Sequence, residues 1–336
     1  MRALLSCLLL SACALAPAAD SVLQRADVQQ FIAEVAQRNQ IPVEEISAVL
    51  SQARLSSQIV ATISRPAESL PWYRYRPIFL QQDRIQGGVR YWRENLAVLD
   101  HASAAYGVPA EILVAIIGVE TRYGKHAGGY RVLDALATLT FDYPKRAPFF
   151  RGELEHFLLL TREQKLDPLA LKGSYAGAMG TPQFIPSSFR RFALDFDGDD
   201  RIDIWHNNAD AIGSVGNYFK EHGWQTGGLV VLPLAANITP AATLLSDDLE
   251  PGLSSEQLSQ GGIASPLPIP PGNKTKLLVL ETEAGREHWL GFWNFYVITR
   301  YNHSVHYAMA VYQLAEEIRA AHTSESGGTK SGIPGA

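Results

Sequence analysis

Hydrophobic residues recur at helical spacing over most of the chain up to residue 224. The pattern predicts two short helices in the segment 20–70, the second of which is opened by Pro42. The same spacing predicts further helices over 83–106, 131–139, 148–164 and 208–222. The fold is therefore predicted to be mainly α-helical in this part of the chain.

One further predicted helix, over 109–123, is hydrophobic on every side. Pro109 suits its first turn, Gly124 suits the residue just past its end, and residues 112–119 are all apolar or glycine. A helix of this kind belongs inside a globular protein. Glu120, in the last turn, is thus a carboxylate at the end of a buried helix.

Burial and the negative end of the helix dipole both disfavour ionisation, so we expect both to raise the pKa of Glu120. A carboxyl group that holds its proton near neutral pH can act as a general acid. The alternative is a glutamate that reaches water at the helix end or pairs with Arg122. The helix alone does not decide between these two interpretations.

Two other segments combine aromatic and basic residues. Prolines at both ends of the aromatic segment 71–77 predict an irregular conformation there. Its rings and arginines could bind a sugar, although such residues more often close a core. Lys145 and Arg146, in the loop after the 131–139 helix, are either solvated surface or a contact for an anionic ligand.

Small residues are concentrated in the stretch 173–186, which contains four glycines or alanines between Tyr175 and Thr181. Such residues let the backbone approach another backbone or a ligand closely. Ser174 and Gln183 place hydrogen-bonding groups at the two ends of the stretch. The combination suits a carbohydrate with hydroxyl and N-acetyl groups, and tight packing is the alternative.

Acidic residues alternate in the loop that begins at Asp195. Asp195, Asp197 and Asp199 fall at positions 1, 3 and 5 of an EF-hand-like pattern, and Arg201 falls at position 7. Because carboxylates this close repel one another without a cation, we expect the loop to bind a structural Ca²⁺ ion. A solvated acidic turn is the alternative.

The match to an EF-hand is incomplete. Position 6 is Asp200 instead of glycine, and position 12 is His206 instead of glutamate. The closing carboxylate of the site is therefore predicted to be either Asp203 or Asp210.

The composition changes after residue 224. Short β-like runs at 229–234 and 275–281, separated by turns rich in Pro, Gly and Ser, predict a small β insert. Helical spacing then returns, up to about residue 321, and the remaining tail is poor in apolar residues and predicted to be disordered. The predicted organisation is a signal region at 1–19, an N-terminal helical segment at 20–70, a core at 71–224, the insert at 225–287, a C-terminal part of the core at 288–322 and the tail at 323–336.

The first residues have the order of a secretory signal, with a charged residue, a short apolar run and then small residues. Leu-Ser-Ala-Cys at 10–13 resembles a bacterial lipobox, in which Cys13 becomes the lipidated first residue of the mature protein. Ala14 then points to the outer membrane, so we expect a lipoprotein on its periplasmic side. Ordinary cleavage near 16–19 would instead give a soluble periplasmic protein. Because Cys7 is the only other cysteine, neither form has a pair for a disulfide.

Charge and composition exclude several classes of function. With 336 residues, 46% hydrophobic content and a net charge of −5, the chain is an ordinary folded protein without a basic surface for nucleic acid. Beyond the N-terminus no apolar run approaches the ~20 residues that span a bilayer. The His-Glu-x-x-His motif is absent from the sequence, which disfavours a zinc peptidase.

Four motifs together resemble the lytic murein transglycosylase B family, the family 103 glycoside hydrolases. They are the segments 118–124 and 177–183, the Asp195 loop and the segment 299–303. The likeness covers nearly the whole chain after the signal region. It implies a lysozyme-like helical core with an N-terminal helical lobe and a small β insert.

The resemblance also implies roles for individual residues. It makes Glu120 the catalytic residue, peptidoglycan glycan strands the substrate and Asp210 the closing calcium ligand, although the chain carries one extra residue before Asp210. The residues that it places along the glycan groove are Tyr75, Arg146, Ser174, Gln183, Tyr218, Tyr301, Asn302 and Tyr307. We expect no cofactor for catalysis, a monomer, and proteins of cell-wall synthesis or hydrolysis as further partners.

Enzymes of this family cleave the β-1,4 bond between N-acetylmuramic acid and N-acetylglucosamine without water and leave 1,6-anhydromuramoyl ends. An ordinary glycosidase needs two carboxylates, ~5 to 9.5 Å apart. Here the C6 hydroxyl of the sugar attacks, so Glu120 can protonate the leaving oxygen and then accept the C6 proton. The alternatives are a hydrolytic muramidase and a non-catalytic peptidoglycan-binding lipoprotein.

Overall fold

The structure, a computed structural model, describes residues 22–64, 70–235 and 238–328. Cys13 and the predicted signal region lie outside these residues, as does the end of the predicted tail. Helices dominate the described part of the chain, and the prediction of a mainly α-helical, lysozyme-like fold is confirmed. Among the described helices, none is both long and apolar enough to span a membrane alone, and one pair passes that test only as two helices bent by 112°.

The chain divides into two compact units, Met1–Arg54 and Leu55–Ala336. The described part of the first unit holds a 3-10 turn at Val22–Gln24 and the helices α1 (Ala26–Asn39) and α2 (Val43–Leu50). The predicted N-terminal helical segment at 20–70 includes this unit and the next helix, which packs within the second unit. At the start of that helix the backbone N–H of Ser56 donates to Thr138 Oγ1 at 3.0 Å.

Helices make up most of the second unit. They are α3 (Ser57–Ile63), α4 (Trp72–Phe79), α5 (Gln82–Glu94), α6 (Leu96–Tyr106), α7 (Ala110–Thr121), α8 (Val132–Phe141), α9 (Ala147–Glu163), α10 (Pro186–Phe192), α11 (Asn208–Glu221), α12 (Ser255–Gln260), α13 (Trp293–Tyr301) and α14 (Val305–Gly328). Short strands β1 (Tyr130–Arg131) and β2 (Lys172–Gly173) pair antiparallel. A second antiparallel sheet has the order β3-β5-β4, with β3 at Val231–Pro233, β4 at Lys276–Thr282 and β5 at Gly285–Gly291.

Helix α7 lies at the centre of the second unit. All of its residues from 112 to 119 are buried. It packs against α5, α6, α11 and α14, so every side of the helix meets another element. This arrangement explains why its sequence is apolar all round instead of amphipathic.

Helix α4 corrects the prediction that residues 71–77 are irregular. Pro71 stands before the first turn, where a missing N–H removes no helical hydrogen bond, and its carbonyl accepts the N–H of Tyr75 at 3.0 Å. Pro77 lies inside the helix and removes one backbone hydrogen bond. Burial of Trp72 and Tyr75, which are 1% and 3% exposed, offsets that loss.

The predicted helix over 83–106 is in fact two helices. Asn95 separates α5 from α6 in a non-helical conformation, with φ −117° and ψ 23°. Its side-chain amide donates to the carbonyl of Tyr91 at 2.8 Å. Asparagine favours helix ends because its side chain competes for the local backbone in this way.

Helix α7 also ends earlier than predicted, at Thr121 instead of next to Gly124. Arg122 and Tyr123 both adopt left-handed conformations, with φ of 50° and 63°. This turn brings the Tyr123 ring back onto α7 at Gly118, where a Cβ atom would lie only 2.6 Å from the tyrosine hydroxyl. Because Gly118 has no side chain, the residues that follow α7 can fold back against the helix at this point.

The C-terminal helix is longer than predicted. α14 continues to Gly328, through the first part of the tail at 323–336 that is predicted to be disordered. Arg93 of α5 forms an ion pair with Glu325, and the Thr323 hydroxyl donates to the carbonyl of Arg319 at 2.9 Å.

The predicted insert at 225–287 contains both predicted strands, β3 and β4, together with α12. β5 is not predicted, and it carries the sheet to Gly291, beyond the predicted end of the insert. The sheet has a small hydrophobic core that is separate from the core around α7. Its buried residues are Leu244, Leu258, Ile263, Leu277, Leu290 and Phe292.

Candidate active site

Glu120 is the penultimate residue of α7 and is partly buried. Its Oε1 accepts a hydrogen bond from the hydroxyl of Tyr307, in the first turn of α14, at 2.5 Å. Burial above all, and then the negative charge of Glu120, hold the pKa of Tyr307 well above its usual value. Tyr307 is therefore a neutral donor to the carboxylate.

Arg122, the other candidate partner of Glu120, turns toward α5. Its guanidinium donates to Gln81 Oε1 at 2.8 Å and lies 3.8 Å from a carboxylate oxygen of Asp83. The left-handed turn after Thr121 directs Arg122 in this way.

Three more tyrosines join Tyr307 near Glu120, and we call Tyr75, Tyr218, Tyr301 and Tyr307 the tyrosine cluster. Burial first, and then Glu120 and Tyr218, raise the pKa of Tyr301 well above its usual value. Tyr75 and Tyr301 are both close enough to act on the pKa of Tyr307. The cluster thus brings residues of α4, α11, α13 and α14 around the end of α7.

Two of these hydroxyls are already used within the protein. Tyr301 donates to the carbonyl of Pro182, and Tyr218 donates to the carbonyl of Arg300, each at 2.6 Å. The centres of the two rings are 4.8 Å apart. What Tyr218 and Tyr301 can offer a ligand is therefore mainly the surface of the ring.

The stretch 173–186 is tied to the end of α7. Thr121 Oγ1 donates to the carbonyl of Thr181 at 2.9 Å and accepts the backbone N–H of Gly124 at 3.0 Å. Ser174 Oγ accepts the backbone N–H of Ala178 at 3.1 Å. The bond between Thr121 and Thr181 ties the stretch that contains Ser174 to the end of the Glu120 helix.

Gln183, at the other end of this stretch, adopts a left-handed conformation with φ 53°. Its amide donates to the carbonyls of Ala127 and Gly180, at 3.1 and 2.9 Å. A Cβ atom at Gly173 would lie 2.1 Å from the carbonyl oxygen of Ala178. Close packing of backbone on backbone, the alternative named above, thus accounts for this glycine.

Arg146 lies on a different element from the tyrosine cluster, whereas Asn302 directly follows Tyr301, a member of that cluster. Arg146 is exposed in a 3-10 turn before α9, and its guanidinium carbon lies 4.6 Å from the centre of the Phe149 ring. Asn302 directly follows α13 in an extended conformation. Their contact with a ligand remains a prediction.

Arg84 is a buried residue at this site that the sequence does not single out. It is 7% exposed, and its guanidinium donates to the carbonyls of Gly118, at 2.8 Å, and Val119, at 3.4 Å. Burial lowers the pKa of Arg84, and Arg122 adds to this. Even a lowered arginine pKa leaves the group charged, so a cation caps the negative end of α7. The only sign of this role in the sequence is the position of Arg84, which falls among the residues of α5 that face the core.

The acidic loop brings three carboxylates together. Oxygen atoms of Asp195, Asp197 and Asp210 lie within 4.8 Å of one another. Ligands on opposite sides of one Ca²⁺ ion are about 4.6–5.2 Å apart, so this oxygen-only set fits that ion. Asp199 and Arg201 lie outside this group of three, and Asp199 Oδ1 accepts the backbone N–H of Arg201 at 3.0 Å.

Asp210, and not Asp203, is the third carboxylate of this group. Both residues accept backbone N–H groups: Asp203 Oδ1 from Trp205 and His206, both at 2.9 Å, and Asp210 from Phe196 at 2.8 Å and Asp203 at 2.7 Å. Asp210 is fully buried, and burial, followed by Asp197 and Asp195, raises its pKa. A cation at this point would remove the repulsion among the three carboxylates.

We predict that Arg84→Met lowers the free energy of unfolding by about 1–3 kcal/mol, because the carbonyls at the end of α7 lose their buried donor. Urea denaturation measures the change. Arg90→Met is the matched control, since Arg90 is exposed on the same helix, and its effect should stay within about 0.5 kcal/mol. Equal effects of the two changes would contradict the capping role.

Comparisons with known proteins agree with this geometry. The family described as the transglycosylase SLT domain matches residues 23–316. Membrane-bound lytic murein transglycosylase B of Escherichia coli (strain K12) is 45% identical over 305 residues, which are 88% of this chain and 83% of that relative.

Solved structures give the same result. The catenated lytic transglycosylase SltB1 from Pseudomonas aeruginosa is 48% identical with a TM-score of 0.84, and the match covers 89% of this chain and 98% of that one. Escherichia coli lytic transglycosylase Slt35 in complex with calcium is 43% identical with a TM-score of 0.81, covering 89% and 94%. The resemblance carried by the four sequence motifs is confirmed, and the chain belongs to the transglycosylase SLT domain family.

Proposed function

We propose that the protein is a lytic transglycosylase that cleaves the β-1,4 bond between N-acetylmuramic acid and N-acetylglucosamine in peptidoglycan and forms 1,6-anhydromuramoyl ends. The observation that carries the proposal is the single carboxylate of Glu120 at the end of a buried helix, with Tyr307 donating to it at 2.5 Å. Membership of the SLT domain family and relatives named as lytic transglycosylases support it.

In the first step, protonated Glu120 gives its proton to the glycosidic oxygen as the bond from that oxygen to C1 of the muramic acid breaks. The negative charge that then develops on Glu120 is stabilised by the hydroxyl of Tyr307, since hydrogen bonds to ionised acceptors are the stronger ones. The Tyr307 hydroxyl donates to Oε1 of this carboxylate.

In the second step, the C6 hydroxyl of the same sugar attacks C1 and passes its proton to Glu120. This restores the protonated acid and closes the 1,6-anhydro ring, so no water is consumed. One carboxylate is sufficient because it acts first as acid and then as base.

Other carboxylates in this part of the chain have structural roles. Glu153, on α9, is 5% exposed and accepts the backbone N–H of Ser187 at 2.9 Å and its hydroxyl at 2.7 Å. Asp134, on α8, lies 3.4 Å from the Arg131 guanidinium. These contacts argue against Glu153 and Asp134 as a second catalytic carboxylate.

The glycan groove is proposed to run along the tyrosine cluster and the stretch 173–186. Of the proposed ring contacts, Tyr301 is partly exposed, whereas Tyr75 and Tyr218 are 3% and 7% exposed, so each of these two can present only a small part of its ring to a sugar. The remaining proposed contacts are Arg146, Ser174, Gln183 and Asn302. In this proposal residues 71–224 and 288–322 form the catalytic core.

The acidic loop is proposed to hold Ca²⁺ through Asp195, Asp197 and Asp210, with Asp199 and Arg201 as further ligands. Support comes from the spacing of the three carboxylates and from the calcium complex of Slt35. Bound Ca²⁺ would fix the loop and the start of α11, which carries Tyr218.

An anchor to the periplasmic side of the outer membrane, through lipidated Cys13, is also proposed. The lipobox-like sequence at 10–13 and the name of the membrane-bound relative support it.

We predict that Glu120→Gln abolishes the release of anhydromuropeptides from purified sacculi, because glutamine can neither give nor take the proton. Mass spectrometry of the soluble products measures this. Glu111→Gln is the matched control, at the opposite end of α7, and should keep the activity. Substantial activity of Glu120→Gln would remove Glu120 from its catalytic role. Sacculus binding by the native protein without soluble products would favour the non-catalytic alternative.

We predict that adding Ca²⁺ to chelated protein raises the melting temperature reversibly, because the ion binds only the folded loop. Asp210→Asn should abolish most of that rise, whereas Asp100→Asn, which changes an exposed carboxylate on α6, should leave it unchanged. Differential scanning calorimetry at millimolar Ca²⁺ measures the shift. An unchanged melting temperature in the native protein would argue for a solvated acidic turn.

A further inference from the structure

A second site lies over one face of the hairpin formed by β4 and β5. A cavity of about 1070 Å³ has this face as its floor, where Val279 stands opposite His288 and Glu281 stands opposite Arg286. Its walls are the beginnings of α4 and α14 on one side and the loop 239–247 on the other. This volume is at the upper end of the range of small-molecule sites, which is about 300–1,000 Å³.

Two buried polar groups at this cavity have unused hydrogen-bonding capacity. His288 is 8% exposed, and its buried Nδ1 has no hydrogen-bond partner. Lys276 is 7% exposed, and its ammonium group donates to the carbonyl of Ser246 at 2.7 Å. A lysine has three N–H donors, so further acceptors can bind there. A ligand with a carboxylate group would accept hydrogen bonds from the Lys276 ammonium group, while Nδ1 of His288 is enclosed by the protein.

The cavity carries charges of both signs. Four charged residues line the cavity: the acidic Glu281 and Asp247 and the basic Arg286 and Lys276. A ligand with one charge would meet repulsion from half of these groups. A ligand with both an amine and a carboxylate complements them.

The cavity adjoins the elements of the active site. His306 lines it, and the His306 ring is centred 5.6 Å from the Tyr75 ring and 5.7 Å from the Trp72 ring. The next residue, Tyr307, donates to Glu120. A ligand that contacts His306 would therefore lie against the first turn of α14, which also carries Tyr307, the hydrogen-bond donor to Glu120.

We propose that this cavity binds the peptide attached to the muramic acid of peptidoglycan, a short chain with both a free amine and a free carboxylate. The proposal rests on the proposed function. The peptide belongs to the same sugar whose C1 is attacked, so a peptide site next to the acid would place that sugar. Glu281 and Asp247 would bind its amine, and Arg286 and Lys276 its carboxylate.

The first test measures binding without turnover. The full chain is titrated by calorimetry with a synthetic stem tetrapeptide that contains D-glutamate, diaminopimelate and D-alanine. Arg286→Gln and Glu281→Gln change exposed positions of the hairpin, so the fold should persist, and each should weaken binding about tenfold through loss of one charged contact. Arg38→Gln, in the first unit, is the control and should bind as the native protein does.

Absence of binding at millimolar tetrapeptide, or equal affinity for the native protein and both hairpin variants, would overturn the proposal. An all-L peptide of the same charge should bind at least tenfold more weakly. Equal affinity for the all-L peptide would overturn the assignment to the muramic acid peptide.

The second test compares two substrates. Arg286→Gln should release anhydromuropeptides from intact sacculi about tenfold more slowly and should cleave peptide-free glycan strands at the native rate. Equal slowing on both substrates would overturn the peptide site. If the native protein forms no anhydro ends from either substrate, the proposed function itself fails, and the peptide titration still reports on the cavity.

Discussion

The burial of α7 on every side is the constraint on which the site depends. A helix surrounded by α5, α6, α11 and α14 cannot turn or slide without breaking the packing of the core. The position of its last turn, which carries Glu120, is therefore fixed. Burial also leaves the terminal carbonyls of the helix without water, and the guanidinium of Arg84 supplies the donors they need.

The surroundings of Glu120 suit a group that must both release and regain a proton. The hydroxyl of Tyr307 donates to it, and a neutral donor favours the ionised carboxylate less strongly than a cationic one does. The cationic Arg84 donates to carbonyls at the end of the helix. Tyr218 and Tyr301 keep their hydroxyls bound to backbone carbonyls, so their rings are fixed as walls. In the proposed function, positioning, proton transfer and sugar contact are therefore assigned to different residues.

Much of this arrangement could be predicted from local patterns. The apolar run at 112–119 identified a buried helix, and the position of Glu120 at its end followed. The roles of Tyr301 and Tyr307 came only from the family resemblance, because both lie far along the chain and no local pattern connects them with α7. Arg84 was missed for the same reason, since its partners are 34 and 35 residues away. The prediction for α4 was wrong because it relied on the tendency of proline to break helices. The burial of Trp72 and Tyr75, which stabilises this helix, arises only in the folded core.

The central claim is that one carboxylate, acting as acid and then as base, is sufficient because the sugar supplies its own nucleophile. Isotope labelling tests this claim most directly. Purified sacculi are digested by the native protein in water enriched in oxygen-18, and the released muropeptides are analysed by mass spectrometry. Attack by the C6 hydroxyl predicts muramoyl ends that contain no oxygen-18. One atom of oxygen-18 for every cleaved bond would show that water attacks C1, and would contradict the mechanism.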